Sequence, residues 1–583
     1  MDFVAPVDAI AFTLDEIADL KRDAERGACG DYTPELLGSI LDEAGRFARE
    51  KLAPINQEGD KIGAQLNDGR VTLPTGWAEI YQEWIAAGWN GVDLPSEWGG
   101  MGLPTRIATA VMEIWTSANM SFAMGPVLTQ GGVDALVLHA SDELKQKYLP
   151  KLVSGEWAAT MNLTEPQAGS DLGALRTRAV PQGDGTYRIT GNKIFISWGE
   201  HEFTENIIHL VLARLPDAPA GTKGISLFVV PKFLVNEDGS LGARNDLICT
   251  GLEHKLGIHA SPTCSMSFGE KGGAVGWLVG EENRGLNCMF TMMNKARLFT
   301  GLQGVAIGEI AYQAAQAYAQ ERKQGRAPGA ASTLSSAIIE HPDVARNLAT
   351  MRALNAATRA VSYVAAGAID LAHASPDPTE RKRADELAGL LTPICKAWCS
   401  EMGFDVTSIG VQVHGGMGYV EETGVAQYLR DARIPPIYEG TNGIQAIDLV
   451  MRKVLKPGSS VAHDVIAQFE SLCARASENE AADVARAGKI GAQAVEALRE
   501  ATGWIFDNAR NHERLLWSAS PYLRLWGIVA ANAYLVKGAL AAADAVKAGD
   551  VRPVCKAALA DARFFAENFG VLAAGQARIV MGT

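Results

Sequence analysis

The sequence predicts a mainly α-helical protein with a smaller β domain near its middle. Apolar residues recur at helical spacing before about residue 158 and again beyond about residue 284. Between these regions the pattern changes to short apolar or alternating runs bounded by turn residues. We therefore predict four segments: an N-terminal helical domain (1–158), a middle β domain (159–279), a C-terminal helical bundle (280–456) and an additional helical domain (461–583).

Composition and charge narrow the possible functions. The chain has 583 residues and a formal net charge of −14. Nucleic-acid and anionic-membrane binding are disfavoured, because both require a basic surface. We see no signal peptide and expect no stretch long and apolar enough to span a bilayer. The eight cysteines form no CxxC pair, which indicates reduced thiols and a cytoplasmic protein.

Individual elements follow from the same patterns. Helices are predicted over 34–52, 77–89, 105–115, 289–319, 344–371 and 381–410. Antiparallel strands are predicted over 187–197, 207–213 and 225–231. A segment rich in Ala, Ser, Gly and Pro, 327–336, is expected to be a surface excursion, and 456–460 a linker. Within the last segment, 522–529 predicts a buried helix.

A candidate catalytic residue, Glu439, lies near the end of the predicted bundle. Pro435 and Pro436 forbid a continuous helix there, and Gly440 gives the backbone freedom directly after the carboxylate. Glu439 is therefore expected on a constrained turn. Apolar surroundings would raise the pKa of its carboxyl group and make it a stronger general base.

The residues after Glu439 predict a helix over 444–451. Thr441 or Asn442 could cap this helix, and the residues do not decide between the two. Taken alone, the Glu-Gly pair favours an ordinary loop glutamate near a helix N-terminus over a general base.

The sequence Tyr-Glu-Gly-Thr-Asn-Gly-Ile-Gln at 438–445 resembles the catalytic-base segment of the acyl-CoA dehydrogenase family. Further segments agree in the family's order, and the resemblance covers about residues 30–456. It implies an N-terminal helical domain, a small β-barrel or sandwich and a C-terminal four-helix bundle, with FAD held between subunits. The start Phe3-Val4-Ala5-Pro6, the run 209–232 and the extra C-terminal domain resemble a longer bacterial subgroup.

Two segments resemble the family's flavin-binding parts. The first is Met-Asn-Leu-Thr-Glu-Pro-Gln-Ala-Gly-Ser-Asp at 161–171, whose bare residues could also form a plain β-turn. The second is Asn-Lys-Ile-Phe-Ile-Ser-Trp-Gly at 192–199, which could also be an ordinary amphipathic strand. Alternation places Phe195 and Ser197 on the same side of that strand. The resemblance assigns FAD to Met161, Leu163, Thr164, Phe195, Ile196 and Ser197, and substrate to Ser170.

Other positions follow from the same resemblance. It assigns Arg322 to the FAD pyrophosphate, and Gln412, Gly415, Gly416, Thr441 and Asn442 to FAD as well. The alternatives are a solvated charge at a helix end for Arg322 and a glycine C-cap for 415–416. It assigns Asn294, Arg297, Tyr438 and Gly440 to the acyl-CoA. Some relatives carry the base at the position of Ala296, but alanine cannot take a proton, so the base is either Glu439 or absent.

The resemblance implies the reaction and its partners. Glu439 would remove the pro-R α proton of an acyl-CoA while a hydride passes from the β carbon to flavin N5, giving the trans-2-enoyl-CoA. The implied substrates are 3-(methylthio)propanoyl-CoA, from dimethylsulfoniopropionate degradation, or short- and medium-chain acyl-CoA. The implied acceptor is electron-transfer flavoprotein, and the implied assembly is a homodimer or tetramer.

Alternatives to this function remain open at the level of sequence. An acyl-CoA oxidase, or a non-catalytic flavoprotein acting in binding or assembly, would share the fold. Cys249, His254, His259 and Cys264 carry atoms that bind zinc, but they lack the close paired spacing of structural zinc sites. We predict no metal site.

Overall fold

The computed structural model describes residues 3–29, 32–330 and 334–582, so three residues of the predicted 327–336 excursion lie outside it. The chain folds into two compact units. The helical unit comprises Met1–Arg49, Pro104–Ala118 and Arg297–Thr583, and the β-containing unit comprises Glu50–Leu103 and Asn119–Ala296. The division into four domains stays a prediction.

The prediction of a mainly helical chain is confirmed. Within the described residues the α-helices are α1 (Val7–Phe12), α2 (Leu20–Glu25), α3 (Pro34–Phe47), α4 (Asn56–Ile62), α5 (Trp77–Ala86), α6 (Thr105–Ala118), α7 (Met120–His139), α8 (Asp142–Ser154), α9 (Gly285–Glu321), α10 (Pro342–Ala374), α11 (Pro378–Ile394), α12 (Ser400–His414), α13 (Val425–Asp431), α14 (Asn442–Asp448), α15 (Val461–Ser477), α16 (Ala482–Asp507), α17 (His512–Lys547), α18 (Pro553–Asn568) and α19 (Ala573–Met581).

Several predicted helices are interrupted by π-helical turns. The helix predicted over 381–410 consists of α11, the π-helical turn Cys395–Cys399 and α12. Similar turns follow α3 at Ala48–Leu52 and α14 at Leu449–Val454. A π-helical turn adds one residue to a single turn of an α-helix. The apolar pattern on either side of it stays helical, so the pattern does not reveal the turn.

The β-containing unit holds the predicted β domain. The strands are β1 (Gln65–Asn67), β2 (Arg70–Thr72), β3 (Trp157–Asn162), β4 (Arg178–Pro181), β5 (Tyr187–Ser197), β6 (Asn206–Ala213), β7 (Ser226–Pro231), β8 (Phe233–Val235), β9 (Leu241–Arg244), β10 (Leu247–Leu252), β11 (Thr263–Phe268) and β12 (Ala274–Val279). Eight of them form one sheet, in the order β10-β11-β5-β12-β7-β6-β3, with β4 also paired to β5.

The prediction of an antiparallel β domain is wrong at one edge of the sheet. Strand β3 pairs with β6 in parallel, from Trp157 opposite Asn206 to Asn162 opposite Val211. Strand β6 is buried at every position, which is typical of a strand covered on both faces. The other strand pairs are antiparallel.

In the helical unit the extra C-terminal segment joins the bundle core. Helix α17 packs against α10, α14 and the π-helical turn Cys395–Cys399. Tyr522, Leu525 and Trp526 are completely buried, as the sequence predicts for 522–529. The N-terminal segment also reaches this helix, because Lys537 Nζ donates to the Ile17 carbonyl at 2.7 Å.

The expectation that no helix could span a bilayer needs a correction. Among the described residues, α17 is long and apolar enough to do so. However, 89% of its most apolar window is buried inside the protein, which is the pattern of a core helix.

Candidate active site

Glu439 lies on a turn between α13 and α14 and adopts a left-handed backbone conformation, with φ of 58°. This conformation costs an L-residue about 1–2 kcal/mol, so the surrounding contacts must stabilise it. The next residue, Gly440, also has a positive φ of 82°. A Cβ at Gly440 would lie 2.9 Å from Gln445 Nε2, so glycine fits both the conformation and the space.

Side chains from the helical unit hold this turn. Gln445 Nε2 donates to the carbonyl oxygens of Glu439 at 3.2 Å and Gly440 at 3.3 Å. The Tyr438 hydroxyl donates to Gln303 Oε1 on α9. The cap of α14 is Thr441, whose hydroxyl accepts the Ile444 N–H at 3.4 Å, so the structure decides between the two candidates.

The charge state of Glu439 reflects opposing effects. Burial raises the pKa of the Glu439 carboxyl group, while the positive charges of Arg297 and Lys396 act to lower it. Burial has the larger effect, and the pKa is raised overall. A carboxylate with a raised pKa is a stronger proton acceptor, which is the property that a general base needs.

Arg297, assigned to the substrate by resemblance, lies on α9 within the electrostatic environment of Glu439. Its side chain is 7% exposed, and burial lowers the pKa of its guanidinium group. The negative charges of Asp448 and Glu439 act in the opposite direction. Asn294, one turn earlier, is exposed.

Lys396 was not predicted and lies in the same environment. It belongs to the π-helical turn Cys395–Cys399, is completely buried, and donates from Nζ to Asn442 Oδ1 at 2.8 Å. Burial lowers the pKa of its ammonium group to about 7. The available signal was a single lysine in the apolar run Pro-Ile-Cys-Lys-Ala-Trp-Cys at 393–399.

The two segments that resemble flavin-binding parts lie side by side in the β-containing unit. The Ile194 N–H donates to the Thr164 carbonyl at 2.9 Å, and Lys193 Nζ donates to the Leu163 carbonyl at 3.0 Å. Lys193 also forms a buried ion pair with Glu165 at 2.9 Å. Glu165 and Lys193, which the sequence did not single out, thus connect the two segments.

The Glu165 carboxylate has further partners. It accepts the Thr177 hydroxyl and the backbone N–H groups of Arg176 at 2.8 Å and Thr177 at 3.0 Å. Although burial acts to raise its pKa, Lys193 and the hydrogen bonds lower it to about 2. Burial lowers the pKa of Lys193 to about 8. Both groups are therefore charged at neutral pH.

Phe195 lies at a bulge in β5. Four residues of β5, Lys193 to Ile196, lie opposite three residues of β11, Cys264 to Met266, so the simple alternation assumed from the sequence is interrupted. Phe195 has a φ of 59°, and the residue is 57% exposed. Ile196 is buried and Ser197 is half-buried. Phe195 and Ser197, which the sequence predicts on one side of the strand, are therefore still more accessible than Ile196 between them.

These segments expose groups that suit a flavin. Met161, Leu163 and Thr164 are half-buried, and Ser170 is exposed on the turn after them. The exposed aromatic ring of Phe195 and the nearby hydroxyls can contact a ring system that has polar edges. The residues of this unit therefore fit a bound flavin ring.

The remaining predicted cofactor residues lie in the helical unit. Arg322 follows the end of α9 and is exposed, and a guanidinium group suits a diphosphate. Gln412, Gly415 and Gly416 are exposed at the end of α12, and a Cβ at either glycine would meet nothing within 4 Å. These positions leave room for a nucleotide. His414 is buried and stacks on Tyr318, with ring centroids 4.5 Å apart, so its role is in packing.

Comparisons with known proteins identify the class. The N-terminal, middle and C-terminal domain models of acyl-CoA dehydrogenase match residues 35–156, 160–270 and 283–455. A fourth model, described as acetyl-CoA dehydrogenase C-terminal like, matches 465–583. The chain belongs to the acyl-CoA dehydrogenase family, and it is an oxidoreductase of that class.

Particular relatives match nearly the whole chain. It is 45% identical to 3-methylmercaptopropionyl-CoA dehydrogenase of Ruegeria pomeroyi, over 97% of this chain and 96% of that protein. It is 33% identical to the broad-specificity linear acyl-CoA dehydrogenase FadE5 of Mycobacterium tuberculosis, over 96% and 94%. The fold is similar to that of an acyl-CoA dehydrogenase from Bacillus anthracis complexed with FAD, with 23% identity, a TM-score of 0.72, and 98% and 91% of the two chains covered. Acyl-CoA dehydrogenases bind FAD, and FAD is the cofactor of this chain.

Proposed function

We propose that this protein oxidises an acyl-CoA thioester to the trans-2-enoyl-CoA, with Glu439 as the base that removes the α proton. The observation that carries this proposal is the Glu439 carboxylate, presented on a left-handed turn with a raised pKa. The α proton of a thioester is a poor acid. A base of raised pKa, held in place before the substrate binds, lowers the barrier to removing it.

The backbone of the same residue can assist. Among the residues that the structure describes, the Glu439 N–H donates no hydrogen bond. We propose that it donates to the thioester oxygen, which gains negative charge as the proton leaves. Base and oxyanion donor would then come from one residue, so the turn geometry fixes both.

The chemistry that a bound FAD would supply is acceptance of the hydride from the β carbon. The residues proposed to hold it are Met161, Leu163, Thr164, Phe195, Ile196, Ser197, Arg322, Gln412, Gly415, Gly416, Thr441 and Asn442. Because the Ile196 side chain is buried, we propose that it contributes its backbone. Ser170, Asn294, Arg297, Tyr438 and Gly440 are proposed to contact the acyl-CoA.

The test is Glu439→Gln, which keeps the shape of the side chain and removes the base. We expect the variant to fold and bind FAD, and anaerobic bleaching of its flavin by butanoyl-CoA to slow by at least about 10²–10⁴-fold. Glu422→Gln, an exposed glutamate upstream of the same turn, is the matched control and should bleach at the wild-type rate. Bleaching of Glu439→Gln at the wild-type rate would contradict the assignment.

We propose that the acyl group is 3-(methylthio)propanoyl or a short to medium linear chain. The name of the Ruegeria pomeroyi relative supports the thioether substrate, and the name of the Mycobacterium tuberculosis relative supports linear chains. A thioether sulfur closely resembles a methylene, and an apolar pocket separates such groups by only about 10–200-fold. Bleaching rates with 3-(methylthio)propanoyl-, butanoyl-, hexanoyl- and octanoyl-CoA measure the preference. A more than tenfold preference for the thioether would assign the protein to the thioether substrate.

We further propose electron-transfer flavoprotein as the acceptor, a homodimer or tetramer as the assembly, and the cytoplasm as the location. The family resemblance supports all three. An acyl-CoA oxidase would instead produce hydrogen peroxide at each aerobic turnover. Absence of peroxide together with reduction of added electron-transfer flavoprotein supports the dehydrogenase, and stoichiometric peroxide would contradict it.

A further inference from the structure

A buried lysine lies behind the Glu439 turn. Lys396 donates from Nζ to Asn442 Oδ1 at 2.8 Å, and Asn442 is the first residue of α14. The Asn442 amide in turn donates to the Ala397 carbonyl and to Glu401 Oε1, both at 3.1 Å. One side chain thus connects the π-helical turn Cys395–Cys399 to the turn that carries Glu439, three residues earlier in the chain.

Among the residues that the structure describes, no carboxylate accepts a hydrogen bond from Lys396. Its hydrogen-bond acceptor in the described structure is a neutral amide oxygen, although the side chain is completely buried. A buried cation is costly unless negative charge lies near it. The carboxylates that act on it are Glu439 and Glu401, while Arg297 opposes it. The negative charge of Glu439 and the positive charge of Lys396 therefore stabilise each other.

We propose that Lys396 is a positioning residue for the dehydrogenation, which fixes the Glu439 turn through Asn442 and keeps the base ionised with a buried positive charge. This inference rests on the proposed function, because it takes Glu439 as the base. Lys396 itself is not proposed to contact substrate or to transfer a proton.

The extra C-terminal segment supports this lysine from the other side. Trp398, two residues after Lys396, is 1% exposed and packs against Gly527 of α17, where an added Cβ would lie 2.2 Å from Trp398 Cγ. The Trp398 ring also meets Phe565 of α18 edge-on, with centroids 6.3 Å apart. The π-helical turn thus has little freedom to move Lys396 away from Asn442.

The charged groups around the pair define the pH dependence. Arg297 faces Glu439 from α9, and Glu401 faces Lys396 from α12. Asp448, at the end of α14, and Arg452, in the π-helical turn after it, are charged groups that act on Arg297. Helix α17 contributes Arg524, whose charge acts on Asp405 rather than on the pair.

The sign of the effect follows from these groups. Burial lowers the pKa of Lys396 to about 7, so its positive charge is present below that pH. Where Lys396 is charged, its positive charge opposes the uptake of a proton by Glu439. Removing the charge should raise the pH at which the base becomes ionised.

The test compares Lys396→Met and Lys396→Arg in the FAD-loaded, full-length protein. Anaerobic bleaching by butanoyl-CoA is followed from pH 5.5 to 9. For Lys396→Met we expect the rising limb of the pH profile to move up by about 1 unit, which slows bleaching about tenfold on that limb. Lys396→Arg retains the charge and should keep the limb at the wild-type pH. Lys382→Met, an exposed lysine of α11, is the matched control and should not move it.

A second measurement does not depend on turnover. The infrared band of the protonated Glu439 carboxyl group, identified by its loss in Glu439→Gln, can be titrated in the resting holoenzyme. We expect the titration midpoint of Lys396→Met to lie above that of the wild type. If the midpoints coincide, or if Lys396→Arg shifts as far as Lys396→Met, the inference is wrong. If the wild type is not bleached by any acyl-CoA, the proposed function fails, while the infrared titration still decides whether Lys396 sets the ionisation of Glu439.

Discussion

Glu439 in the helical unit and Phe195 in the β-containing unit are presented in the same way but anchored differently. Both are non-glycine residues with a φ near 60°. The segment around Phe195 is held by the buried ion pair of Glu165 and Lys193, two residues that are both charged at neutral pH. The Glu439 turn is held by neutral amides, those of Gln445 and Asn442, and no carboxylate but its own lies on the turn.

The difference matches the two chemical tasks that we propose for these segments, holding the cofactor and acting as the general base. A segment that only has to hold a cofactor can use a strong charge pair, because its residues need not change protonation state. A general base must gain and lose a proton, and a direct ion pair would lower its pKa and weaken it. Neutral amides fix the position of Glu439 without lowering its pKa. Lys396 adds a positive charge that bonds to the side chain of Asn442 rather than to the Glu439 carboxylate.

Breaking the charge pair should have the largest effect on the fold. Glu165→Gln leaves the Lys193 ammonium group buried without its counter-charge, which costs about 3–5 kcal/mol. We expect a melting temperature several degrees lower and a loss of bound FAD, measured by calorimetry and by flavin absorbance. The double variant Glu165→Gln/Lys193→Met removes both charges and should recover part of the loss. An unchanged melting temperature for Glu165→Gln would show that the pair does not hold these segments.

The same pair predicts an acid response. The pKa of Glu165 is lowered from its ordinary value of 4.5 to about 2 in the folded protein, so its contribution to stability is fully present above about pH 5. That contribution is lost as pH falls from about 4.5 toward 2. Glu165→Gln should therefore differ most from the wild type at neutral pH, and the difference should shrink below pH 4. Melting temperatures at pH 7 and pH 3.5 measure it.

Disturbing the support of the Glu439 turn from α17 should have a smaller effect. Gly527→Ala places a Cβ against the buried Trp398 ring, and such overpacking costs about 1–3 kcal/mol. We expect a lower melting temperature and slower bleaching by acyl-CoA, because Lys396 and Asn442 shift with the ring. Gly503→Ala in α16, where a Cβ meets nothing within 4 Å, is the control and should be slightly stabilising. Normal bleaching in a destabilised Gly527→Ala would show that α17 supports only the fold.

The sequence predicted what depends on local pattern. Strand β5 was predicted over 187–197 and observed there, because its alternation and the turn residues on either side are both local signals. The turn at Glu439 was predicted from two prolines and a glycine. The parallel pairing of β3 with β6 was missed, because an apolar run in the sequence gives no information about the direction of the strand that pairs with it.

Non-local contacts explain the other misses. Lys396 and Asn442 are 46 residues apart, and Lys193 and Glu165 are 28 apart, so no spacing rule connects either pair. The bulge at Phe195 depends on the register of β11, about 70 residues later in the chain. The sequence does show an unusual residue type in such places, for example a lysine within an apolar helical run.

The most direct test of the account is the pH dependence of anaerobic flavin bleaching in the wild type and Glu439→Gln. We predict that the wild-type rate rises through a single ionisation whose apparent pKa lies above the ordinary glutamate value, because burial raises the pKa of Glu439. In Glu439→Gln this limb should disappear together with nearly all bleaching. A wild-type rate that is flat across this range, or a limb that persists in Glu439→Gln, would contradict the assignment of Glu439 as the base.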